Sequence, residues 1–167
     1  MGNEFGSSAT RQSAARTVTE ASSRGIRAAR AHDLEGFTEC VEELEPHADA
    51  ARIVHSHLVR ELLETSYQDG LSGEDVSEVL RRTVTGAGGW NVAIDPEAVV
   101  TVLTGALGVV EPPEGRDAPA PVIPPTAIIA AAILVAADLA AHMDLDPEPY
   151  LGRAVDEIRR AQAVEMP

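Results

Sequence analysis

The chain has 167 residues, 44% of them hydrophobic and only 3% aromatic, and its formal net charge is -14. That length fits one domain, burying about 70% of the surface its unfolded form exposes, with a core of Ala, Val, Leu and Ile. A single cysteine, Cys40, excludes an internal disulfide and any multi-cysteine zinc or iron–sulfur site, and the acidic balance excludes a globally basic nucleic-acid footprint. All thirteen basic residues are Arg. The absence of Lys removes P-loop and Schiff-base lysine chemistry, and it points to high-GC bacterial coding.

Residues 1–23 hold few apolar positions and are expected to form a disordered or loosely helical arm, ahead of an all-helical domain over 24–167. No continuous apolar stretch suitable for export is visible in residues 1–25. A helical pattern starts near Ala21 and runs through Ala31. Asp33 then reads as the N-cap of a second helix with the stripe Leu34, Phe37, Val41 and Leu44. Pro46 interrupts that run. A third helix follows, with Ala51, Val54, Leu58 and Leu62 on one face.

Gln68-Asp69-Gly70 closes the third helix, and Ser72-Gly73-Glu74-Asp75 has the spacing of a capping box. Val76, Val79, Leu80 and Val84 give the fourth helix its buried side. Gly86-Ala87-Gly88-Gly89 reads as a flexible loop leading to Trp90. It has neither a preceding strand nor the spacing of a phosphate-binding loop. Asp95-Pro96-Glu97 is a strong helix start, and the helix it opens, about Pro96 to Leu107, is apolar nearly all round and is expected at the centre of the fold. Residues 111–125 contain six prolines and read as an extended loop. Thr126 to Met143 forms a second central helix, and Asp146-Pro147-Glu148 opens a last one. The sum is an all-α, single-domain bundle of about six helices. The apolar runs 98–110 and 127–137 fall short of the roughly 18 residues that cross a bilayer, so no membrane partner and a cytoplasmic location are expected.

Four residues are pocket candidates: His55, Trp90, Asp138 and His142. Asp138 and His142 stand four apart on one helix edge, and an Asp that orients a His is a recurring catalytic arrangement. The helical wheel places both outside the apolar sector, which favours a solvated edge. His55 lies within the apolar stripe of the third helix, where a hydrogen-bonded core histidine is commoner than a ligand. Trp90 either anchors its loop or covers a pocket. Cys40 reads as an apolar filler. His57, Glu61 and Glu64 lack recognised zinc spacing, and no metal, cofactor or catalytic residue is assigned.

Seven acids and no base lie between Arg30 and Arg52, whereas residues 1–30 carry five Arg against Glu4 and Glu20. The basic segment folds back on the acidic helix, or each is a solvated face, or Glu35, Glu39, Glu42 and Glu43 form a docking surface for a basic partner. Leu62 to Val84 has the outline of a helix-turn-helix, but acids lead its second helix, so nucleic acid is a disfavoured partner. The foremost expectation is a non-enzymatic protein-interaction or assembly module, paired with itself as a homodimer or with another protein. The alternative is a small-molecule-binding or enzymatic domain in which the four candidates converge.

Overall fold

The computed structural model describes residues 3–109 and 122–165, with side chains described for 12–109 and 122–161. Among the described residues the chain forms seven α-helices and no strand: α1 (Asn3–Arg30), α2 (Leu34–Leu44), α3 (Ala48–Ser66), α4 (Gly73–Gly88), α5 (Pro96–Ala106), α6 (Pro125–His142) and α7 (Glu148–Glu165). Pro46 sits in a short 3-10 turn, Glu45–His47, that joins α2 to α3. This is the all-α bundle the patterning predicts.

The helix starts follow the sequence closely, because short polar side chains satisfy first-turn N–H groups that have no partner within the helix. Asp33 accepts from Gly36 N at 3.1 Å, Asp95 from Glu97 N at 2.9 Å and Asp146 from Glu148 N at 3.1 Å. Ser72 and Asp75 form the expected capping box, with bonds of 3.2 and 2.9 Å.

The helix ends share a device that the sequence shows at only one of four positions. A residue with φ between 53° and 73° follows α1, α4, α5 and α6: His32, Asn91, Gly108 and Asp144. The next residue's N–H then bonds back to a carbonyl five positions earlier, as Asp33 does to Ala28 (2.8 Å) and Leu145 to Ala140 (2.8 Å). Gly108 is the natural residue for this geometry, and the other three adopt it at some cost in backbone strain.

α6 is the central element. It packs against each of α1 to α5, and every residue from Ala131 to Ala137 is buried, with Leu139 and Ala140. Small side chains let its neighbours approach closely. On α1, a Cβ added at Gly25 would lie 3.1 Å from Ile133 Cδ1, so that position has little room for a side chain. At 18 residues, α6 is also the one described helix long and apolar enough to cross a membrane, longer than the run counted in the sequence. Its burial marks it as the bundle's core helix.

Three expectations need correction. α5 is peripheral: Ala98, Val99, Val102, Leu103 and Ala106 face the bundle, while Val100 and Leu107 point outward at 42% and 40% exposure. Residue 23 is not a boundary, because α1 is continuous there and Val18, Ala21, Ser22 and Ile26 are buried in the core. Gly86 to Gly88 form the last turn of α4 rather than a loop. Most of the expected Pro-rich loop, residues 110–121, lies outside the described residues, and Pro125 already begins α6.

Candidate functional site

α3 turns His55 inward, where its imidazole is 4% exposed, and Nε2 is hydrogen-bonded to Ser22 Oγ of α1 at 2.7 Å. Burial pushes the His55 pKa down to about 4, so the ring is neutral at pH 7. A serine and a histidine at this separation have the spacing of a nucleophile and its base. Ser22, however, has no accessible surface, so no substrate reaches its hydroxyl. The pair is a polar bridge between α1 and α3.

His55 also lines a cavity of about 530 Å³ between α3, α5 and the first half of α6. Its apolar walls are Val102 and Ala106 of α5 and Ile128, Ile129 and Ala132 of α6. The other polar groups come mainly from one side, α3, as Asp49, Arg52, Ser56 and His57. Gly105 of α5 belongs to the lining, and a Cβ built on it would meet nothing within 4 Å. Volume and lining match those of small-molecule sites, which run from about 300 to 1,000 Å³ and combine apolar walls with a few polar groups.

Trp90 and Asp138 belong elsewhere. They line a second depression of about 170 Å³, together with His32, Arg82 and Thr83. Trp90 stacks on His32 with centroids 5.5 Å apart and meets Phe37 edge-on at 5.5 Å, which ties the end of α4 to α1 and α2. Asp138 accepts two bonds from Arg82 Nε, at 3.0 and 2.9 Å, and lies 2.7 Å from Nη2. Burial opposes the Arg82 charge, but the bonds and charge of Asp138 outweigh it and raise the Arg82 pKa. Both side chains are about one-fifth exposed, so Asp138 belongs to a half-buried ion pair and not to a solvated edge. His142 is exposed at the end of α6 and lines neither cavity. The four candidates therefore do not converge: His55 is in one cavity, Trp90 and Asp138 in another, and His142 in neither.

The acidic face is partly engaged. Glu35, Glu39 and Glu42 are exposed on α2, while Glu43 receives a hydrogen bond from Arg24 Nη2 at 2.7 Å, so α1 does reach back to the acidic helix. Cys40 is buried beneath that face, and burial raises its thiol pKa against the lowering effect of Arg24. Glu61 and Glu64 are taken up by Arg153 and Arg60, at 3.3 and 3.2 Å. On α4, Arg81 pairs with Glu78 at 2.6 Å and Arg82 turns inward to Asp138, which leaves the helix-turn-helix outline without a free basic face.

Sequence reasoning missed Ser22, Arg52 and Arg82. The available signals were slight: Ser22 interrupts an apolar stripe on α1, and Asp138 is a lone acid in an apolar helix, which implies a buried or half-buried cation opposite. No protein-family model, curated protein or solved structure matches the chain.

Proposed function

We propose that the chain is a non-catalytic binding module whose ligand is a small, largely apolar molecule held between α3, α5 and α6. The observation that carries this reading is the cavity of about 530 Å³, with its aliphatic walls and one-sided polar groups. Binding is favoured over catalysis because the one buried serine–histidine pair is closed to substrate. The stable rim on three helices positions the walls better than loops would.

The test uses 1-decanol as an apolar probe. It raises the melting temperature of the wild-type chain by mass action. Gly105→Leu adds an isobutyl group at a lining position with open space around Cβ, so the variant folds and the decanol shift is expected to fall. An equal shift in both proteins, or none in the wild type, overturns the reading.

A further inference from the structure

We infer that the ligand carries a single carboxylate, making it an acyl-chain monocarboxylate; this rests on the α3–α5–α6 cavity being the binding site. The cavity is amphipathic by construction. Val102, Ala106, Ile128, Ile129 and Ala132 offer an aliphatic wall for a hydrocarbon chain, and α3 supplies the groups for a polar head.

The charges select the head. Arg52 is exposed on α3, lines the cavity and has no ion-pair partner among the described residues. A guanidinium in this position donates paired hydrogen bonds to a carboxylate. His57, also in the lining, adds an imidazole. The first residue of α6, Pro125, lies at the same cavity, and that helix begins without a side-chain cap or a first-turn acid, so the positive end of its dipole is unopposed by its own side chains. The one lining carboxylate is Asp49, in the first turn of α3. With one guanidinium and one carboxylate in the lining, the site holds too little positive charge for a dianion, which suits a monoanion better than a phosphate. One cavity thus offers both a charged group for a polar head and aliphatic surface for a hydrocarbon tail.

The experiment is a calorimetric titration of the full chain at low salt with decanoate, 1-decanol and decyltrimethylammonium. These probes carry nearly the same hydrocarbon tail and present an anionic, a neutral and a cationic head. Decanol is the more apolar of the first two, so burial alone ranks it ahead of decanoate. The expected result is one decanoate per chain, bound roughly fivefold more tightly than decanol, with the preference shrinking as salt rises. Arg52→Gln, at an exposed position, brings decanoate to or below the affinity of decanol and leaves decanol unchanged. Decanol binding as tightly as decanoate, or decanoate binding unaffected by Arg52→Gln, overturns the carboxylate assignment while the apolar cavity stands. Failure of all three probes to bind overturns both.

Discussion

An imidazole enclosed as fully as that of His55 stays neutral under conditions where a free one takes up a proton, since its pKa is about 4 against an ordinary 6.5. Between those two values the unfolded chain binds the proton and the folded chain does not. Stability from this group is therefore fully present above pH 6.5 and is lost as pH falls toward 4. From pH 7 to pH 5 the loss is about 2 kcal/mol. Urea denaturation of wild type and His55→Gln at both pH values checks it, because the variant lacks this part of the slope. Equal slopes in the two proteins would contradict the burial of an uncharged ring. Asp138 gives a second residue-scale test. Asp138→Ala strands the Arg82 guanidinium in a half-buried setting, and the expected cost in chemical denaturation is about 2 kcal/mol. A solvated-edge Asp would cost under about 0.5 kcal/mol.

At the scale of elements, helix starts were legible and helix faces less so. Asp33, Ser72, Asp95 and Asp146 announce themselves because capping depends on residues within three positions. The ends of α1 and α6 are legible to within a residue, at Ala31 and Met143, and only the end of α4 is misplaced; what the sequence does not show is the left-handed residue that follows each, His32, Asn91 and Asp144, a conformation plainly signalled only by Gly108. The placement of α5 is hidden in the sequence for a different reason. Val100 and Leu107 make it look apolar all round, yet they face outward beside exposed Thr101. Periodicity shows that surface is apolar, and not whether anything covers it. Gly105 on the same helix yields a prediction independent of ligand. With no neighbour within 4 Å of its Cβ, Gly105→Leu removes a helix-interior glycine and should raise stability by about 0.5 to 1 kcal/mol in thermal or urea unfolding. A destabilised variant would mean that the cavity lining at α5 is closed.

For the molecule as a whole, α6 dictates the arrangement. Cover for it comes from the chain's own helices, and Val100 and Leu107 on the outer side of α5 are among the exposed large apolar side chains. Ala136 and Ala140 have no accessible surface. Ala136→Arg places an unpaired, overlarge cation in the centre, at a cost beyond about 4 kcal/mol, comparable with the whole stability of a domain. The cooperative melting transition should vanish, as circular dichroism would show.

The candidate site was legible only in fragments. His55 was singled out from its place in the α3 stripe, but its partner Ser22 lies 33 positions away, and the cavity joins α3 to α5 and α6 across a long separation. Spacing along one helix reports which residues share an edge; convergence between helices depends on crossing geometry. Asp138 and His142 illustrate the limit, since they share an edge and yet one is paired to α4 while the other is exposed.

The most direct test of a ligand between α3, α5 and α6 is to locate it by NMR. With 1-decanol added to saturation, the ring resonances of His57 and the methyl resonances of Val102, Ile128 and Ile129 should move together along one saturable curve, while those of Trp90 and His142 stay in place. Shifts centred on Trp90, or scattered over the exposed faces of the bundle, would contradict the account.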